Sequence, residues 1–368
     1  MSVVSRYLNK LYLMRFGAVI FAVAGFAILF DLLDVGSRVL RRSDGSSMAL
    51  LRYMVIRMPT LLADMIPLVA LVAGLVTIGD LLRHRELIAM WNAGLTRAGM
   101  LLRLWPAVLL LVIGKFAIDD LGVPATVPEL RQLRVADFKN VGLPAAKIMW
   151  LKSGRAVIRL PSDAAATGNL TDIVILARDE EGRLVERIDA VTAEARDQHW
   201  LLRDVVRRPA SSRPAETLAE LEWPVDVDLD KIALMAKAPR ELELLQLIDV
   251  LAHDGYGVGV TDGHRTLAHA RVAGILGLAS TILLPFALAR RFGRVGVLGP
   301  IWVQGLAAGF TYLVANGVLQ AFGEVGLVPP VLAAWTVPVL FALLVLWLVG
   351  VLERRQPGHG LPRLASHG

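Results

Sequence analysis

The sequence predicts an α-helical integral membrane protein with six transmembrane helices and a β-rich, jelly-roll-like domain inserted between the third and fourth. Three observations carry that expectation. The chain is 55% hydrophobic over 368 residues with a mean hydropathy of +0.56, more apolar surface than one soluble core can bury. The excess is gathered into six blocks, each long enough to approach the roughly 20 residues of helix that cross a hydrocarbon core. Between the third and fourth blocks the pattern changes to short polar segments of strand composition.

Taken in order, the first block runs from Phe16 to Val35 behind a basic segment bearing Arg6, Lys10 and Arg15. No small-residue cleavage pattern follows Phe30, so we expect a retained span and not a removed signal. The second block is Met58 to Leu81. The third, Leu101 to Ile118, has Lys115 near its end and Asp119 four residues on, a spacing that suits an internal ion pair. The fourth to sixth blocks are Val272 to Ala289, Val295 to Phe322 and Val325 to Leu352, with Glu324 between the last two. Gly305 and Gly309 in the fifth have the spacing that lets two helices approach closely. These blocks divide the chain into residues 1–121, 122–265, 266–353 and a tail, 354–368.

Within 122–265, "RAVIRL" (155–160) and "DIVILAR" (172–178) have strand composition and "DEEG" (179–182) is a turn. Residues 183–208 continue as short strands punctuated near "RDQ". Evenly spaced short strands suggest a jelly roll or sandwich-like sheet. The run "PRELELLQLIDVLAHDG" has a helical apolar period and ends at Gly255.

The net charge is +6, and its distribution matters more than its sum. With the N-terminus in the cytoplasm, basic residues collect on the inner side: Arg6, Lys10 and Arg15, then Arg83, Arg85 and Arg97, then Arg290 to Arg294, then Arg354, Arg355 and Arg363. This obeys the positive-inside rule. One loop breaks it, with Arg38, Arg41, Arg42, Arg52 and Arg57 on the outer side. Such arginines snorkel to headgroups in the plain reading. In the sharper one, Arg38, Arg41 and Arg42, joined by Arg131 and Arg134 after the third block, bind lipid phosphate, because guanidinium forks match phosphate oxygens.

Residues 83–97, "RHRELIAMWNAGLTR", form an amphipathic helix. Leu87, Met90, Trp91 and Leu95 make its apolar stripe, and Arg85, Glu86 and Asn92 stand around it. It either rests on the membrane surface or docks in a groove of a separate motor subunit, with Glu86 paired to a cation there. A motor within the chain is not expected. The only Gly-Lys pair, Gly114-Lys115, lies inside a hydrophobic block and forms no phosphate-binding loop. There are no cysteines and only seven scattered histidines, so neither a metal site nor another cofactor is expected. No hydrolase signature is present, and the protein is read as non-catalytic, with no nucleic-acid partner.

The residues "RYL" near the start, Pro59 and Pro67 in the second block, "RELIAMWNAGLTR", "PFALARRFGR" and "LVPPVLAAWTVPVLF", in that order, resemble the LptF/LptG family of lipopolysaccharide export permeases, LptG more than LptF. The resemblance covers nearly the whole chain. It implies a half-permease of the bacterial inner membrane that pairs with an LptF-like paralogue. An LptB-like ATPase dimer would bind the coupling helix through Arg85, Glu86, Leu87, Met90, Trp91 and Leu95 and use the ATP. Lipopolysaccharide would then pass through periplasmic jelly-roll domains to an LptC-like protein and the periplasmic bridge. The alternatives are another ABC-type permease acting as a mechanical transmitter, or a membrane scaffold.

Overall fold

A computed structural model describes residues 3–42, 46–132, 148–161, 170–196, 199–211, 214–225, 234, 237–252, 261–293 and 299–354. Among these, five helices are long and apolar enough to cross a membrane, one fewer than the six expected. The first two exceed their blocks. Helix α1 spans Val3–Arg42 and α2 spans Ser47–Arg83. The expected arginine-rich loop is therefore mostly helix, with Arg38 and Arg41 on the last turns of α1 and Arg52 and Arg57 on the first turns of α2. An ion pair explains why the helices continue there: Arg57 reaches Asp31 at 3.1 Å, with side chains only 9% and 11% exposed. Tyr53 donates to the same carboxylate. Away from water, each of these groups needs the others.

The third expected span is divided. Short helices α3 (Glu86–Asn92) and α4 (Arg97–Arg103) precede α5 (Trp105–Ala117). A π-helical turn, Ile118–Gly122, then leads into α6 (Val123–Gln132). Proline at position 106 lacks the amide hydrogen that an unbroken helix needs there, which accounts for the interruption at Leu104. The surplus residue of the π turn accounts for the second.

After the sheet come a 3₁₀ turn (Pro239–Glu241), α7 (Leu244–Ala252), α8 (Asp262–Gly293), α9 (Gly299–Glu324) and α10 (Pro330–Arg354). The expected helix over 239–255 is thus a 3₁₀ turn followed by α7, and residues 253–255 of it lie outside the described residues. Helix α8 is the hub of the bundle, with 67% of its apolar window buried against 6% for α1. It packs on α2, α9 and α10. Glycines set two of these approaches. A Cβ on Gly74 would lie 2.8 Å from Pro285, and one on Gly305 would lie 2.5 Å from Leu75. The small-residue pair in α9 therefore serves contact with α2 of the same chain.

The inserted domain has six described strands: β1 (Ile148–Ser153), β2 (Ala156–Pro161), β3 (Leu170–Arg178), β4 (Leu184–Arg196), β5 (His199–Pro209) and β6 (Glu216–Pro224). They form one antiparallel sheet in sequential order. This is a meander, without the long crossover connections of the expected jelly roll. Short links of turn residues, such as Asp179 to Arg183, favour pairing of each strand with the next. The ladder is interrupted along a line through Asp172, Val191 and Asp204, where both aspartates adopt φ 52. Inward side chains, among them Leu151, Ile158, Ile175, Ile188, Trp200 and Leu202, share one core. The outer face is laced with ion pairs such as Arg207 to Glu186 at 2.5 Å, which holds the Arg207 guanidinium above its usual range.

Candidate functional site

The segment after α2 is built from local signals. Arg85 adopts φ 58, a left-handed conformation that a non-glycine residue enters at a cost of about 1 kcal/mol, and it turns the chain into α3. The helix ends in paired closing bonds, Leu95 N to the Met90 carbonyl and Gly94 N to the Trp91 carbonyl, with Gly94 at φ 85. These satisfy carbonyls that a helix end otherwise leaves open. Thr96 then caps α4 by accepting from Gly99 N.

This geometry turns the predicted apolar stripe inward. Leu87 is fully buried, and Met90, Trp91 and Leu95 pack half-buried against the cluster of Leu8, Tyr12, Met100 and Leu104. The stripe thus completes the chain's own core. The surface that remains open comprises Arg83, His84, Arg85, Ile88, Ala89, Asn92 and Ala93. Glu86 lies between the two faces, and its Oε2 accepts a hydrogen bond from Tyr7 at 2.6 Å. Neither Tyr7 nor Ile88 was singled out by periodicity, because Tyr7 lies 79 residues away in sequence and Ile88 falls outside the stripe.

The break before α5 is closed by a residue of α1. Buried Asn9 donates to the Arg103 carbonyl at 2.7 Å and accepts from the Ala107 amide at 2.8 Å. In an unbroken helix that amide and that carbonyl would bond to each other. Ser5 also donates to the Arg103 carbonyl, at 2.9 Å. Arg15 pairs with Asp80 at 2.5 Å, so the start of α1 is bonded to the last turn of α2 as well.

At the opposite end of α2, the predicted arginines separate. Arg38 is tied to Asp34, one turn back, at 2.9 Å, Arg52 pairs with Glu129 at 2.5 Å, and Arg41 is exposed. Arg42 and Arg131 lie on helices whose side chains there are not described, and Arg134 falls outside the described residues, as do Arg294, Arg355 and Arg363. The side chains of Arg97, Arg290, Arg291 and Arg354 are likewise not described.

Between α2, α5, α6, α8 and α9 lies a cavity of 390 Å³. Polar side chains line part of it, including Asp64, Lys115, Asp119, Arg271, Asn316 and Gln320. Lys115 and Asp119 form the ion pair their spacing predicts. The neighbouring Asp120 turns to another partner, Arg271 of α8 at 2.6 Å, and accepts from the Leu244 amide of α7 at 2.6 Å. Arg271 also donates to the Leu242 carbonyl. Reasoning from the sequence passed over this clamp, although two adjacent carboxylates beside one lysine signal a missing cation.

Comparison with known proteins supplies the last observation. The family model described as lipopolysaccharide export system permease LptF/LptG matches residues 6–350. The chain is 24% identical over 299 residues to the lipopolysaccharide export system permease protein LptG of Haemophilus influenzae, covering 77% of this chain and 80% of that protein. It is 26% identical over 315 residues to the protein of the same name from Escherichia coli K12, covering 81% and 84%.

Proposed function

The chain belongs to the LptF/LptG family of lipopolysaccharide export system permeases, and on that premise we propose how its two ends divide the work. It is a membrane permease subunit that takes lipopolysaccharide out of the bacterial inner membrane. Its N- and C-termini are cytoplasmic, as is the α3 end, and the sheet domain is periplasmic. The observation that carries this reading is the family match across residues 6–350, which takes in the helices and the inserted sheet alike.

An ATPase dimer of the LptB kind docks at the α3 end. The open face of Arg85, Ile88, Ala89 and Asn92 meets its groove, Glu86 supplies the charge, and Leu87, Met90, Trp91 and Leu95 hold the helix to its own bundle. At the far end Arg38, Arg41 and Arg42, with Arg131 and Arg134, bind lipid phosphate. A paralogous LptF-like permease covers the open faces of α1 and α9, and an LptC-like protein and the periplasmic bridge accept the lipid. Energetics support the division. Each methylene pulled from hydrocarbon costs about 0.8 kcal/mol, so a lipid of several acyl chains cannot leave unaided, and the work comes from ATP hydrolysed on the partner.

Photocrosslinkers at Arg38 and Arg41 test the proposal in membranes carrying the assembled transporter. They should capture lipopolysaccharide well above the level at Leu343, an exposed position of α10. Labelling no greater than at Leu343 overturns the phosphate assignment, and purification of the complex without any ATPase overturns the docking of a motor at the α3 end.

A further inference from the structure

Helix α1 is bonded directly to the α3 end, beside its bonds to α2 through Arg15 and Tyr12. Tyr7 holds the Glu86 carboxylate. Two residues on, Asn9 fills the break between α4 and α5. Between them Leu8 is fully buried in one cluster with Leu87, Met100 and Leu104, and Tyr12 joins the same cluster. The first turns of α1 are therefore held at once against α3, α4 and the start of α5. Beyond those turns the middle of α1 is open, its apolar window 6% buried, until Asp31 meets Arg57 and Tyr53 of α2 near the far end. A displacement of those first turns is therefore carried along the open middle of the helix towards its second contact at Asp31.

Glu86 has two carboxylate oxygens, and a carboxylate can serve several donors at once. Tyr7 takes Oε2, and a cation on another protein can take Oε1. The same residue is then positioned from within the chain and engaged from outside.

Resting on the reading that an ATPase docks at the α3 end, we propose that Tyr7 is a positioning residue: by holding Glu86 it couples α3 to α1, so that the motor's stroke reaches α1 directly as well as through α2. In this arrangement Asn9 makes α4 and α5 part of the same moving piece. The hydroxyl of Tyr7 is then needed for coupling more than for assembly.

The test uses the complete transporter in proteoliposomes loaded with lipopolysaccharide, reading lipid released per ATP hydrolysed, a ratio counted only on assembled complex. Tyr7→Phe removes one hydroxyl. We expect the ATPase to copurify at the wild-type amount, while lipid released per ATP falls about tenfold, the factor that a hydrogen bond to a charged group carries. Adding Tyr7→Phe to Glu86→Gln should lower the ratio no further than Glu86→Gln alone, because the two changes remove one interaction. A Tyr7→Phe ratio equal to wild type, or two losses that simply add, overturns the inference and leaves the docking reading standing. If Glu86→Lys keeps both the ATPase and full transport, the docking reading itself falls and takes this inference with it.

Discussion

Replacing Arg271 by leucine removes one half of a buried pair and strands the other. Its side chain is 4% exposed and that of Asp120 is 15% exposed, so the abandoned carboxylate has little access to water. The loss should destabilise the protein by about 3 kcal/mol or more, read as a lower thermal unfolding midpoint in detergent. Arg271→Lys should not restore it, because a single ammonium cannot span Asp120 and the Leu242 carbonyl as the planar guanidinium does. A midpoint unchanged in Arg271→Leu would mean that the clamp contributes nothing to stability. Single residues were unevenly legible in the sequence. The Lys115 to Asp119 pair was readable because both partners share one helix face. Arg57 with Asp31, and Arg271 with Asp120, join residues far apart in the chain, and spacing carries no information about them. What hinted at a partner was the acid itself, Asp31 inside an apolar block and Asp120 adjacent to an aspartate already paired with Lys115.

At the scale of elements, the approach of α9 to α2 depends on Gly305 and Gly309, whose missing side chains admit Leu75 and Leu71. Leu75 is itself fully buried and has nowhere to turn. Gly305→Leu should therefore cost about 1–3 kcal/mol through overpacking. Gly317, on the same helix with nothing near its Cβ position, makes the control. Gly317→Leu should leave the unfolding midpoint level or raise it slightly, since glycine in a helix interior carries an entropic penalty. Equal effects at the two sites would refute the packing account. Hydropathy located five of the helices well, but it could not detect the division of the third span. That span is apolar throughout, and what breaks it is the missing hydrogen at Pro106 and a surplus residue at 118–122. Strand composition likewise found β2 to β5 and missed β1 and β6. Composition also says nothing about strand order, which is why a jelly roll was expected where the described strands make a meander. The apolar stripe of α3 shows the same limit, because periodicity finds an apolar face without saying whose core that face completes.

For the whole molecule, the uneven burial of the spans points to where neighbours sit. Large apolar side chains stand open on α1, including Phe21, Leu29 and Leu33, and on α9, including Val303 and Phe310, whereas two thirds of the apolar window of α8, 67%, is buried by its own chain. Lipid alone can cover such faces, but a paired permease is what the family resemblance implies. The sequence contains no cysteine, so Leu29→Cys or Phe310→Cys places a single reactive thiol. Short bifunctional crosslinkers there should join this chain to a second permease of the same family, while Leu343→Cys on α10 should not. Adducts formed equally from all three positions would show that α1 and α9 are no more an interface than α10.

The contact of Pro285 with Gly74 places the crossing of α2 and α8 far from the middle of α2. About 14 Å of helix separates Gly74 from Arg83, and about 40 Å separates it from Ser47. A tilt of α2 about that crossing is a lever with unequal arms, so any displacement at the Arg83 end is multiplied nearly threefold at the Ser47 end. Both internal prolines of α2, Pro59 and Pro67, sit on the long arm. The short arm is therefore the stiff one, and whatever give the helix has lies on the long arm.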